Sequence, residues 1–388
     1  MPWRVTDPML EKARFVLAVE AEESSFAELC GAFGIARETG YRWWRRYREA
    51  GLAGLAERSR RPKRTPSATA SEVVELLLKA RQKKPSWGAA KLLNRLGEKH
   101  PEVAWPSDTT GHRILKRHGL VQVRPRQSRG WREFPGTGGP FAPANAPNAV
   151  WTVDFKGQFR LGNRQWCYPL TIQDLYSRYG LQCRALESTA TSPTQRAFVD
   201  TFRTYGLPER IRSDNGPPFA SRGLLGLSQL SIWFLKLGIH IQRITPGQPQ
   251  QNGQHERYHR TLKAEATLPA EATLRAQQRR FDAFRQEYNQ ERPHESIHMA
   301  VPADYYHLSS RTFPRRNQWP GLDYPEGWER RQVRHNGSFK WRGGFVCVSE
   351  LLRGETIAVQ PVGAAVGLVR FCSLTLGVLR EDNTFVPA

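Results

Sequence analysis

Three acidic residues sit in three short segments of different pattern, and together they constrain the fold more than any other feature. VWTVDF (150–155) is an apolar run of strand length that carries Asp154, and IRSDN (211–215) reads as a second strand ending at Asp214. NGQHERYHRTLK (252–263) reads as a helix that opens after Gly253 and bears Glu256 on its first turn. Two hard cations held roughly 3.5–4 Å apart need carboxylate oxygens from separate chain segments, because the pair must clamp both the attacking and the leaving oxygen of a phosphodiester. Asp154, Asp214 and Glu256 are therefore the candidate metal-ligating set, and the chemistry they point to is metal-assisted and acts on DNA.

The segments VDF, SDNGPPF and PQQNGQHERYHRTLK resemble the DDE transposase and integrase superfamily, whose core is ribonuclease H-like, and within it the bacterial IS481-type insertion-sequence transposases. One Asp alone is weak; SDNG followed by a PxxNGxxE helix start is specific, and the resemblance covers the central region. The stretch RGLLGLSQLSIWFLKLG (222–238) makes the interval between the last two acids longer than the retroviral one, and no paired His/Cys module precedes the core. The resemblance implies two Mg2+ (or Mn2+) ions per active site, with Asp154 bridging both, Asp214 holding one and Glu256 the other. It implies hydrolysis at the ends of the protein's own element, freeing 3′-hydroxyls, and then attack by those hydroxyls on target DNA. Phosphoryl transfer of this kind needs no covalent intermediate, so no nucleophilic side chain is expected.

At 388 residues the chain has room for three or four domains. Its formal charge of +22 calls for a polyanionic partner, since basic charge spread along a chain favours phosphate backbones through counterion release. An acidic membrane surface would need amphipathic segments, and none is evident. The N-terminus reads without a signal-peptide core and no apolar run approaches membrane-spanning length, so a cytoplasmic, nucleoid-associated bacterial protein is expected. Cys30, Cys167, Cys183, Cys347 and Cys372 are scattered without zinc spacing and are expected to be reduced core residues, as the apolar neighbours in FVCVSE suggest for Cys347.

The predicted architecture is multidomain, with α-helical helix-turn-helix domains at the N-terminus, an α/β ribonuclease H-like core and a small all-β C-terminal barrel. Residues 1–57 read as a first helix-turn-helix, with a Ser25–Glu28 capping box, a turn at Gly34 and a recognition helix. That helix presents Arg37, Thr39, Arg42, Arg45 and Arg46 to DNA and turns Tyr41 and Trp44 or Trp43 inward. A solvated three-helix bundle with a basic face is the alternative. Residues 58–68 form a basic connector whose Arg58, Arg60, Arg61, Lys63 and Arg64 can follow phosphates or enter a minor groove. Residues 69–123 read as a second helix-turn-helix-like domain, with His112, Lys116 and Arg117 on its last helix. The Pro/Gly-rich stretch 124–149 is a linker; 150–306 is the catalytic core; 325–388 is the accessory barrel, with Arg330, Arg331, Arg334, Lys340 and Arg342 as its basic residues.

Around the triad, Asn215 and Gly216 read as turn residues, Asn tolerating left-handed backbone and Gly giving DNA room to approach. Arg260 and Lys263 fall on the face of Glu256 and can fix a phosphate, although Arg260 can instead pair with Glu256. His255 and His259 can shuttle protons or touch DNA, or serve as helix-start capping or surface groups. Asp174 reads as a structural or supporting acid. The expected partners are the double-stranded DNA of the element's ends and of the target, with the protein acting as a homo-oligomer, dimer or tetramer. Two other readings share these residues: a DNA-binding regulator with an inert core, and a nuclease that cuts without joining.

Overall fold

The computed structural model describes residues 7–57, 68–121, 141, 143–246, 248–314, 318–363 and 366–388. The connector residues Arg58, Arg60, Arg61, Lys63 and Arg64 lie outside the described residues, as does most of the 124–149 linker. The chain divides into two compact units, one ending at Ala68 and the other starting at Thr69.

The first unit is three helices, α1 (Pro8–Glu20), α2 (Phe26–Ala32) and α3 (Arg37–Ala50). Asp7 caps α1, and the Ser25–Glu28 capping box is formed in both directions at the start of α2. Gly34 makes the turn into α3 with φ of 65°, a backbone that side chains resist. Phe15, Val16, Leu29, Cys30 and Leu55 form the core, with Trp43 and Trp44 packed against it. Tyr41 does not turn inward as expected. It is 59% exposed, stacked at 4.1 Å on Phe26, because the half-buried tryptophans already fill the inner face of α3.

The second unit begins with α4 (Ser71–Lys83), α5 (Ala89–Lys99) and α6 (Asp108–Arg117), closed over Leu77, Trp87, Leu92, Leu93, Leu96, Ile114 and Leu115. The central sheet follows: β1 (Val150–Phe155), β2 (Phe159–Arg160), β3 (Trp166–Asp174), β4 (Gly180–Leu186), then α7 (Thr191–Tyr205) and β5 (Arg210–Ser213). After these come α8 (Gln229–Lys236), β6 (His240–Arg243), α9 (Gly253–Ala266), α10 (Leu274–Gln290) and the short α11 (Pro302–Tyr305). Strands β4, β3 and β1 are antiparallel, whereas β1, β5 and β6 run parallel. Alternation along β1 and β3 sorts their side chains by face. Trp151, Val153, Leu170 and Ile172 join Phe198, Phe202 and Phe234 of α7 and α8 on one side. Cys167 meets Tyr258, Leu262, Phe281 and Phe284 of α9 and α10 on the other. Each fully buried aromatic on these faces is worth about 2–3 kcal/mol of transfer free energy, so both helical layers are held firmly to the sheet.

Two other parts of this unit are fastened to the core. Lys84 pairs with Glu287 at 2.7 Å, Lys91 donates to the Pro293 carbonyl at 2.7 Å, and Arg292, itself paired with Glu265 of α9, donates to the Ser86 hydroxyl at 3.4 Å, which ties the α4–α6 module to α9 and α10. Residues 307–314 continue the core, since Arg311 donates to the carbonyls of Pro208, Leu237 and Gly238. The C-terminal part holds β7 (Glu329–Gln332), a hairpin of β8 (Ser338–Trp341) and β9 (Gly344–Cys347), and β10 (Thr356–Pro361), β11 (Gly367–Phe371), β12 (Leu374–Leu379) and β13 (Phe385–Pro387). Its main sheet is antiparallel, in the order β13-β12-β11-β10-β7. Four of the five cysteines are buried; Cys347 is exposed, against expectation. Strand β9 turns Val346 inward, so alternation sends Cys347 outward.

Candidate active site

Asp154 lies near the carboxyl end of β1, on the same face as Thr152 and opposite the apolar Trp151 and Val153. Strand β5 pairs with β1 in parallel, with Val150 opposite Arg210 and Thr152 opposite Arg212. The pairing ends there, and Asp214 follows just past the end of β5 as Asp154 stands near the end of β1, so both acids come at the carboxyl ends of neighbouring parallel strands. Glu256 is exposed on the first turn of α9, the helix that covers this face. The acids act on one another: burial, then Asp214, and to a smaller degree Glu256, push the Asp154 carboxyl up to about 7, against hydrogen bonding by Phe155 and attraction from Lys156.

Asp214 is positioned by its own loop. Gly216 N–H donates to Asp214 Oδ1 at 3.2 Å, and Asn215 Nδ2 donates to the Ile244 carbonyl at 2.7 Å, tying the end of β5 to the end of β6. Asn215 does not use the left-handed backbone that it tolerates. A Cβ at 216 would stand 3.0 Å from Asp214 Oδ2, so any side chain there would press on the carboxylate.

The inner face of α9 carries the two histidines, and they are core groups rather than surface or capping ones. His255 is fully buried and His259 nearly so. His255 Nδ1 is 2.8 Å from Thr152 Oγ1, and Thr171 Oγ1 is 2.7 Å from Nε2 of both rings. His259 Nδ1 also stands 3.7 Å from Asp154 Oδ2. Burial holds both imidazoles well below their ordinary pKa, His259 near 3. The two threonines escaped the sequence reading. Their signal was a hydroxyl on alternate positions of apolar strands, Thr152 two residues before Asp154 and Thr171 in CYPLTIQD.

On the outer face of α9, Arg260 and Lys263 are exposed beside Glu256. Among the described residues Arg260 forms no ion pair with Glu256; the helix pairs instead through Glu265 and Arg292. Asp174 is purely structural. Fully buried, it accepts from Asn148 N–H and Ser177 N–H at 2.8 Å each and from the Ser177 hydroxyl at 2.6 Å, and so fixes the turn after β3. On α3, Arg37, Arg42 and Arg45 are exposed, Thr39 is half-buried, and Arg46 is half-buried with its guanidinium 4.9 Å over the Trp43 ring. His112, Lys116 and Arg117 are exposed on α6.

Among the described residues, no three His, Cys, Asp or Glu side chains stand close enough to hold one metal ion between them. Uncompensated carboxylates repel, and among the described residues no lysine or arginine forms an ion pair with Asp154. Three carboxylates from three elements, one of them pushed toward protonation by burial and then by its acidic neighbours, are a donor set suited to hard divalent cations.

Integrase core domain models match residues 144–249 and 237–302. A helix-turn-helix domain matches residues 11–63, and a homeodomain-like domain matches 39–115. The chain is 28% identical over 199 residues to an uncharacterized 31.7 kDa protein of insertion element IS407 from Burkholderia multivorans, covering 50% of this chain and 67% of that protein. It is 26% identical over 255 residues to a 39.2 kDa protein of insertion element IS476 from Xanthomonas euvesicatoria, covering 66% and 70%. The Gag-Pol polyprotein of baboon endogenous virus is 31% identical over 123 residues, 32% of this chain and 7% of the polyprotein. Among solved structures, the HTLV-2 integrase catalytic core domain in complex with magnesium matches 42% of this chain at 18% identity, with a TM-score of 0.33. Among the described residues no helix is long and apolar enough to cross a membrane.

Proposed function

We propose that this chain, an integrase-core protein with helix-turn-helix domains and insertion-element relatives, is a DNA transposase that binds the ends of its own element, cleaves them and joins them to target DNA. The observation that supports the reading is that Asp154 on β1, Asp214 just past β5 and Glu256 on α9 lie near enough to act on one another, Asp214 and more weakly Glu256 adding to burial in raising the Asp154 carboxyl. These three carboxylates would hold Mg2+ or Mn2+, two ions when loaded, and the ions supply charge neutralisation at the entering and leaving oxygens and lower the pKa of the attacking hydroxyl or water.

The chain's own residues supply the rest. Arg260 and Lys263, unpaired by Glu256 and on its face of α9, hold the phosphates flanking the scissile bond. Gly216 keeps the approach to Asp214 open at the strand end, where a side chain would press on the carboxylate. Arg37, Thr39, Arg42 and Arg45 read the element's ends in the major groove, with Arg46 set back over Trp43. Lys116 and Arg117 add contacts from α6, and the connector Arg58, Arg60, Arg61, Lys63 and Arg64 follows the backbone. Assembly as a homo-oligomer brings two ends together on cytoplasmic DNA.

The test is in vitro joining of a fragment bearing the gene's own flanking ends to a supercoiled plasmid, comparing the wild type with Asp214→Asn in Mg2+ or Mn2+. Joined product from the wild type alone is the expected result. Cutting without joining would make the protein a nuclease, and end binding with neither reaction would make it a regulator with an inert core.

A further inference from the structure

We infer that Thr171, with His255 and His259, is a positioning device that fixes the rotation of α9 about its axis and thereby aims Glu256 at the strand carrying Asp154. The inference rests on the transposase reading of the triad. Its geometry lies on the inner face of the helix, where residues four apart are neighbours. Thr171 is the cross-strand partner of Asp154 in the β1–β3 ladder, so the hydroxyl that meets both rings comes from the position paired with the acid.

The hydroxyl's valence fixes the protons. Thr171 Oγ1 has three close partners: the Asp154 carbonyl at 3.0 Å and Nε2 of His255 and His259 at 2.7 Å each. A hydroxyl has one proton to give and two lone pairs, and a carbonyl can only accept. All three contacts are satisfied together in a single way. Thr171 donates to the carbonyl, and both imidazoles donate to Thr171 from Nε2–H. His255 Nδ1 is then an acceptor for the Thr152 hydroxyl at 2.8 Å, whose one proton goes to this shorter contact rather than to the Gln173 carbonyl at 3.3 Å. Each ring is therefore held at a fixed orientation in a dry site, with Thr152 and Thr171 1% and 0% exposed. Tyr258 and Leu262 provide apolar contact for the same helix. Apolar contact alone tolerates small rotations; four directional bonds among buried groups do not. Glu256 follows His255 directly in sequence, so its direction is set by this lock.

The nature of the lock dictates the variants. Thr171→Val keeps the shape and removes the acceptor, while Thr171→Ser keeps the hydroxyl. His259→Gln and His255→Gln place an amide N–H near the Nε2 position, whereas the Asn variants place it near Nδ1. Expected for Thr171→Val is a loss of joining of about 10–100-fold, the range seen when a group orienting a ligand is removed, with end binding retained. Thr171→Ser and the Gln variants should recover most of that activity and the Asn variants should not, which separates aiming from bulk packing. The 15N spectrum of histidine-labelled full-length protein should show both buried rings as Nε2–H tautomers. An Nδ1–H tautomer for either ring, or joining by Thr171→Val within twofold of wild type, would overturn the inference and leave the transposase reading standing. A wild type inactive in Mg2+ and Mn2+ would overturn that reading instead. Mn2+ binding followed by electron paramagnetic resonance then decides the inference, and equal affinity in wild type and Thr171→Val would sink it.

Discussion

Replacing Asp154 by Asn should stabilise the metal-free protein while abolishing its chemistry, and the stabilisation should depend on pH in a calculable way. The carboxyl is pushed up to about 7 in the folded chain from its ordinary 3.8, chiefly through burial and secondly through Asp214. Between those values the folded state binds more protons than the unfolded one, so stability falls as pH rises from 3.8 to 7 and stays reduced above it. Three pH units at about 1.4 kcal/mol each amount to roughly 4 kcal/mol. Asparagine cannot ionise and escapes this loss, but an amide with unmade hydrogen bonds in the same site costs about 1–3 kcal/mol at every pH. The net gain at pH 8 is thus about 1–3 kcal/mol, and the difference between variant and wild type should widen by about 3 kcal/mol from pH 5 to pH 8. Urea unfolding in EDTA, followed by tryptophan fluorescence at several pH values, measures it. The buried His255 and His259 are present in both proteins, so their titration largely cancels in the difference. Excess Mg2+ at a hundred times its dissociation constant should restore about 2.7 kcal/mol to the wild type only. A difference that stays flat with pH would refute the claim that the acids repel one another in a partly dry site.

Removing the exposed guanidiniums of Arg42 and Arg45 together should weaken binding to the element's ends by about 1–3 kcal/mol per base-reading contact and bind random DNA less affected; equal loss on both in a gel-shift titration would deny α3 a recognition role. Arg292→Ala strips Glu265 of its partner at a half-buried site, and should cost about 2–4 kcal/mol and speed protease cleavage between α4–α6 and the core, unless that junction is held by packing alone. Gly216→Ala should fold normally, since its loop is at the surface, yet lose joining because the new methyl crowds Asp214; full activity would show that the carboxylate does not need that space.

Much of this was legible in the chain because local rules act over short spans. Strand alternation, the Ser25–Glu28 cap and the Gly-led start of α9 each depend on a few neighbouring residues, and all of them formed. What escaped depends on partners distant in sequence. Tyr41 faces outward because Trp43 and Trp44 occupy the inner side of the same helix, a competition that helical spacing does not decide. The histidines of α9 looked like polar helix-start residues, and only the threonines of β1 and β3, about a hundred residues upstream, make their burial tolerable. The fastening of α4–α6 to the core likewise runs through pairs such as Lys84 and Glu287, whose charges read in isolation as solvated faces.

The placement of Glu256 follows from the same alternation that builds the sheet. Side chains on β1 alternate, so once Trp151 and Val153 are committed to the α7 and α8 side, Thr152 and Asp154 must face the other layer. Parallel pairing with β5 puts Asp214, just past that strand, and Asp154 both at the carboxyl ends of neighbouring strands, where open α/β sheets place their ligand sites. A third carboxylate can then reach the pair only from an element on the α9 side or from a loop at that edge. A helix is the more exact support, because packing fixes its position, but packing must fill its inner face right up to the charged edge. Leu262 and Tyr258 do so deeper in the layer; nearer the acids an apolar side chain would further desolvate carboxylates already under strain. Imidazoles hydrogen-bonded to threonine meet both requirements, since they fill the volume of a large side chain and leave every polar atom near Asp154 with a defined partner or a defined direction.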